Sequence, residues 1–144
     1  MATNPRTANG ARRKALRLRL KAEARPCWIC VAMGKSAATA RIDYSLPKGH
    51  PYAFEADELV PVSKYWLGGY PSASAAALDY NNLAAAHRCC NQWRSNKTVE
   101  EVMQIARGLK SGRKPAKHDT SRDWSKPPIV VKPSRDWRHY KPKQ

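Results

Sequence analysis

Asn82-Leu-Ala-Ala-Ala-His87-Arg-Cys-Cys90-Asn91-Gln-Trp-Arg94-Ser-Asn-Lys97 is the stretch on which the fold turns. Its His87-x-x-Cys90 spacing puts two ligands on one metal ion, and it has an upstream counterpart in Cys27-x-x-Cys30. Two such pairs make the four-ligand tetrahedral set that a structural zinc requires. A chain with only 4 cysteines that carries no secretory signal uses them as metal ligands more readily than as disulfides. An all-cysteine set taking both Cys89 and Cys90 has the same composition. Adjacent residues rarely turn both side chains to one ion, which favours His87 and leaves Cys89 a buried bystander thiol.

Working outward, residues 27–63 break into short apolar pieces separated by Pro and Gly: Cys27 to Cys30, Ile42 to Tyr44, Pro51 to Phe54 and Leu59 to Val62. Strand-length pieces with turn chemistry between them predict a small irregular β-hairpin. Residues 64–80, with Gly68-Gly69 and Pro71, read as a surface loop. Residues 82–97 are helix-compatible. A second helix then starts at a capping box, Thr98 with Glu101, and carries an apolar stripe of Val99, Val102, Ala106 and Leu109. Upstream, Ala11, Ala15, Leu18 and Ala22 recur at helical spacing and predict a helix from about Gly10 to Arg25, ended by Pro26.

Charge divides the chain differently from hydrophobicity. Lys and Arg total 27 against 11 Asp and Glu, a net charge of +16 over 144 residues. Residues 1–26 carry 8 basic and 1 acidic side chains, and residues 110–144 carry 11 and 3. The body between them, residues 27–109, carries 8 and 7, so it is near neutral. A body of 83 residues is small enough for a structural metal to matter to its stability. No run approaches the roughly 18 apolar residues of a membrane span, and the first residues lack the apolar stretch of a secretory signal. The expectation is a soluble, intracellular protein. Arg13, Arg17 and Lys21 form one row along the first helix, suited either to solvent or to phosphates. The tail repeats Ser121-Arg-Asp-Trp124 at Ser134-Arg-Asp-Trp137, two peptide motifs whose tryptophans can stack on bases or dock on the body.

Between the two knuckles lies Phe54-Glu-Ala-Asp57-Glu58-Leu-Val-Pro-Val-Ser63, followed by Gly68-Gly69 and Asn82-Leu83. This order, Cys-x-x-Cys, an acidic pair before an apolar pair and Pro, Gly-Gly, Asn-Leu, then His-x-x-Cys-Asn-x-x-Arg, resembles the HNH endonuclease family, above all its small bacteriophage-encoded members. The resemblance covers about residues 26–97 and some ten positions. It implies an α+β chain: a small ββα-metal domain with zinc knuckles, flanked by a basic N-terminal helix and by a C-terminal helix with an extended basic tail. It further implies that Cys27, Cys30, His87 and Cys90 hold the structural zinc, that Asp57 and Asn91 ligate a catalytic Mg²⁺ or Mn²⁺, and that Asn82 orients the strand carrying the base.

The departure is at position 58, where the family has a histidine that takes the proton of the attacking water and this chain has Glu58. A free glutamate titrates near 4.3 and is a poorer base at neutral pH. Three readings stay open: Glu58 as base or extra ligand, His50 reaching in from the preceding turn, or a site without catalysis. An oxygen-donor pair suits a hard divalent cation that neutralises charge on the phosphate. Arg88, Arg94 and Lys97 are candidates for that phosphate, and Arg13, Arg17 and Lys21 for the flanking backbone. The expected activity is metal-dependent hydrolysis of DNA phosphodiester bonds. By the phage resemblance it belongs to the host cytoplasm, beside the terminase in genome packaging, or in recombination or restriction. The alternative is a zinc-containing nucleic-acid-binding module without catalysis. An RNA-binding structural protein, the third reading, leaves Asp57 and Asn91 without a role.

Overall fold

The computed structural model describes residues 4–110. Residues 1–3 and the tail from 111 onward, with both Ser-Arg-Asp-Trp motifs, lie outside the described residues. The order of elements is α1 (Pro5–Ala8), α2 (Gly10–Ala22), α3 (Trp28–Ala32), α4 (Ala37–Ala40), β1 (Phe54–Glu58), a 3-10 segment (Val62–Gly68), α5 (Ala73–Leu78), a 3-10 turn (Tyr80–Asn82), β2 (Leu83–His87), α6 (Arg88–Arg94) and α7 (Val99–Lys110). The chain is thus a small α+β protein whose described strands form one antiparallel pair, β1 with β2.

The register pairs Phe54 with His87, Asp57 with Ala84 and Glu58 with Leu83. Backbone hydrogen bonds extend the pairing at both ends, from Leu59 N–H to the Asn82 carbonyl at 2.8 Å and from Arg88 N–H to the Ala53 carbonyl at 2.9 Å. The expected hairpin is therefore built differently. Its second strand lies beyond residue 63, in the stretch that reads as helix. Alanine favours a helix in isolation, but Ala85 and Ala86 are buried. Their small side chains let α2, α3 and α6 close on the strand. The β pairing overrides a weak local preference. The Cys27 to Cys30 piece is the opening of α3 and not a strand, and the expected loop at 64–80 contains α5, capped by the Ser72 hydroxyl on Ala75 N–H at 3.1 Å.

The core lies between α3, the hairpin, α6 and α7, with Ile29, Ala86, Cys90, Trp93 and Val102 buried there. The capping box of α7 forms as its residues dictate: Thr98 Oγ1 accepts from Glu101 N–H and Glu101 Oε2 from Thr98 N–H, both at 3.1 Å. Helix α2 buries a face other than the expected alanine row. Arg13 and Leu20 are buried, Leu16 is half-buried, and Leu18 points out at 58% exposure. The rotation has an electrostatic cause, because Arg13 is drawn to a buried carboxylate on β1 and to the Ala77 carbonyl.

Candidate metal centre and carboxylate cleft

Cys27 and Cys30 open α3, His87 ends β2 and Cys90 lies in the first turn of α6, so the hairpin brings two distant knuckles together. All four side chains are buried, and their ligand atoms lie within 4.8 Å of one another. The Cys30 and Cys90 sulfurs are 3.7 Å apart, close to the edge of a tetrahedron with sulfur about 2.3 Å from its centre. His87 Nδ1 faces both sulfurs, at 3.6 and 3.7 Å, while Nε2 lies 3.0 Å from the Arg41 carbonyl. A carbonyl only accepts, so Nε2 carries a proton, and Nδ1 is the ring nitrogen that faces the cluster. Burial pushes the imidazole down, but hydrogen bonds and charge from Cys27 and Cys90 outweigh it and bring His87 up to about 10. A metal bound at Nδ1 would take the place of the proton that this shift favours there. These four residues can hold a metal ion such as zinc; Cys89 is not one of them.

Alternation along β1 sends its three acidic side chains two ways. Glu55 and Asp57 turn towards α6. Asp57 is buried, and its Oδ2 accepts from Trp28 Nε1 at 2.8 Å and from Arg94 Nη1 at 2.7 Å. Arg94 is fully buried as well: Nε donates to the Lys97 carbonyl at 2.9 Å, and the other guanidinium nitrogens reach the carbonyls of Glu58 and Leu59. Its plane also lies over Trp28, 5.0 Å from the ring centroid. Burial pushes the Asp57 carboxyl above its ordinary value, and the Arg94 charge and the two hydrogen bonds only partly offset this. Asn91 Nδ2 donates to Glu55 Oε2 at 2.8 Å, and Arg88 lies 3.4 Å from the other Glu55 oxygen.

Glu58 turns the opposite way, towards the N-terminal helices. Arg6 Nε and Nη2 each donate to it at 2.9 Å, and Arg13 Nη2 stands 2.7 Å away. Burial raises its pKa, but Arg6 and Arg13 together hold Glu58 below the ordinary carboxyl value. Asn82 touches none of these carboxylates. Its Oδ1 accepts from Val60 N–H at 2.8 Å, and Nδ2 donates to the carbonyls of Val60 (3.0 Å) and Ala76 (3.1 Å), which pins the chain as it leaves β1.

These residues border a cleft of about 900 Å³ whose lining includes Glu55, Asp57, Glu58 and Asn91. Arg6, Lys14, Arg17 and Lys21 from the N-terminal helices and Lys48 also line it. Of the cations singled out in the sequence, Arg17 and Lys21 are exposed along this cleft, whereas Arg13 and Arg94 are turned inward onto Glu58 and Asp57. Arg88 sits beside Glu55, and Lys97, in the connection after α6, folds back onto that helix, with Nζ 3.0 Å from the Trp93 carbonyl. His50 does not line the cleft; its Nδ1 accepts from Tyr52 N–H at 3.1 Å. Sequence reading missed Arg6, Trp28 and Glu55. Only Glu55 left a signal, since it shares a strand face with Asp57 two residues on.

Two carboxylates and an amide on one side of β1 are oxygen donors of the kind a hard divalent cation takes. Arg88 and Arg94 meet the same carboxylates, so a cation there would share them with two guanidinium groups. Compared with known proteins, the chain matches no family model, no curated protein and no solved structure. What fold and site define is a small α+β protein with a buried Cys3His cluster beneath a two-stranded hairpin.

Proposed function

We propose that the protein is a metal-dependent DNA endonuclease of the HNH type. The observation that supports this most is the joining of the carboxylate strand β1, the helix carrying Asn91 and a basic cleft above a Cys3His cluster. In this reading zinc ties α3 to the hairpin, and Asp57 and Asn91 hold a Mg²⁺ or Mn²⁺ ion that stabilises charge on the scissile phosphate and leaving oxygen. Arg94 fixes Asp57 and the backbone of β1. Asn82 fixes the end of the same strand. Arg17, Lys21 and Lys48 take flanking phosphates without reading base sequence. Glu58 takes the proton of the attacking water once Arg6, its exposed arginine partner, is drawn away. A phage origin, and a task beside a terminase or in recombination, belong to the same reading.

A second reading has its own support. With Arg6 and Arg13 on Glu58, the free protein has no carboxylate at position 58 ready to accept a proton, as a DNA-binding module without catalysis would have it. Supercoiled plasmid incubated with the zinc-loaded protein and Mg²⁺ or Mn²⁺, beside Asp57→Ala and Glu58→Gln, separates the two. Metal-dependent nicking lost in Asp57→Ala supports the enzyme. Inactivity of the unmodified protein, with DNA still retarded on a gel, supports the module.

A further inference from the structure

The two arginines on Glu58 are not equivalent. Arg13 has a side chain 9% exposed and a second bond, 2.8 Å to the Ala77 carbonyl, so it is fixed in the interior. Arg6 comes from the short helix α1, its side chain is 47% exposed, and it lines the cleft next to Lys14 and Arg17. Both Arg6 nitrogens that reach Glu58 are spent on a planar fork-to-carboxylate contact. A phosphodiester offers the same fork geometry and charge. Leaving Glu58 does not strand that carboxylate, because Arg13 stays. The position that departs from the family pattern is thus the one neutralised from the N-terminal segment, by one permanent and one replaceable partner.

We propose that Arg6 is a substrate-binding residue that exchanges Glu58 for a backbone phosphate of the nucleic acid entering the cleft, so that binding and release of Glu58 are one event. This rests on the reading of the cleft as a DNA site. It makes Glu58 a competitor of DNA for Arg6. Removing the carboxylate tightens binding only where Arg6 is present.

The test is a double-substitution cycle on DNA affinity, read by fluorescence anisotropy of a labelled duplex with the zinc-loaded protein and no added Mg²⁺ or Mn²⁺. Glu58→Gln is expected to bind about two- to fivefold tighter than the unmodified protein, the range of a partly exposed ion pair. In the Arg6→Gln background the same change is expected to have no effect, and Arg6→Gln alone to lower the salt slope by about 0.9. Equal tightening in both backgrounds, which is bulk charge removal, or none in either, overturns the exchange. A companion measurement needs no variant: the Arg6 Nε–Hε resonance of the unmodified protein is expected to shift when duplex is added, and an unmoved resonance in DNA-bound protein overturns the proposal. No binding of duplex at low salt would instead sink the DNA reading itself, whereas binding without plasmid nicking would sink only the nuclease.

Discussion

Replacing Arg94 by methionine keeps most of the side-chain volume and removes the charge that Asp57 faces at 2.7 Å. Both partners are buried, Arg94 completely, so the carboxylate keeps only the Trp28 N–H. Breaking a buried pair by deleting one member costs about 3–5 kcal/mol. The carbonyls of Glu58, Leu59 and Lys97 lose a donor at the same time, at about 1–3 kcal/mol each wherever water cannot follow. These effects overlap and do not add, but a loss of at least about 4 kcal/mol is expected, a large share of the roughly 5–15 kcal/mol that holds a domain folded. The assay is guanidinium unfolding of the zinc-loaded protein followed by tryptophan fluorescence, with Asp57→Asn and the double variant completing a cycle. The double variant is expected to recover part of the loss, because no uncompensated charge is left inside. A loss under about 1 kcal/mol in Arg94→Met, the size of a surface pair, would refute the idea that this arginine holds the carboxylate strand to α6.

Two further outcomes follow from the same geometry. Because Glu58 titrates below its ordinary 4.5, its pairing contributes fully above that pH and is lost as the pH falls through the lowered value; Asp57, raised above 3.8, acts in the opposite sense. The stability gap between the unmodified protein and Glu58→Gln should therefore be widest at neutral pH and close on acidification, and a gap independent of pH would contradict the Arg6 and Arg13 pairing. Asn82→Ala removes a side chain that binds Val60 on both its N–H and its carbonyl, and should cost about 2–3 kcal/mol with faster hydrogen exchange at Leu59 and Val60. Unchanged exchange there would show that β1 is held by other contacts.

The knuckles were legible in the sequence because metal ligands are few, chemically distinct and evenly spaced. Cys27, Cys30, His87 and Cys90 stand out in any reading, and the structure brings those four together while leaving Cys89 aside. The capping box of α7 was legible for the same reason, since both its bonds are local. The strand at 83–87 was not. A run of three alanines carries no period, and only its pairing with β1 makes it extended. The buried face of α2 was hidden by a different mechanism, because Arg13 counts as a surface cation until Glu58 is found opposite it across the fold. Arg94 is similar: in the sequence it belongs to the excess positive charge, and in the fold it is internal. The charge sum could not reveal which arginines face solvent and which face carboxylates.

The proposed function depends most on one metal ion tying α3 to the hairpin. Native mass spectrometry of protein purified without added metal, followed by circular dichroism through a chelator titration, tests this directly. One zinc per chain, released together with loss of folded structure and restored on adding zinc back, is the predicted result. A chain that carries no zinc as purified, or that keeps its fold after the metal is gone, would contradict it.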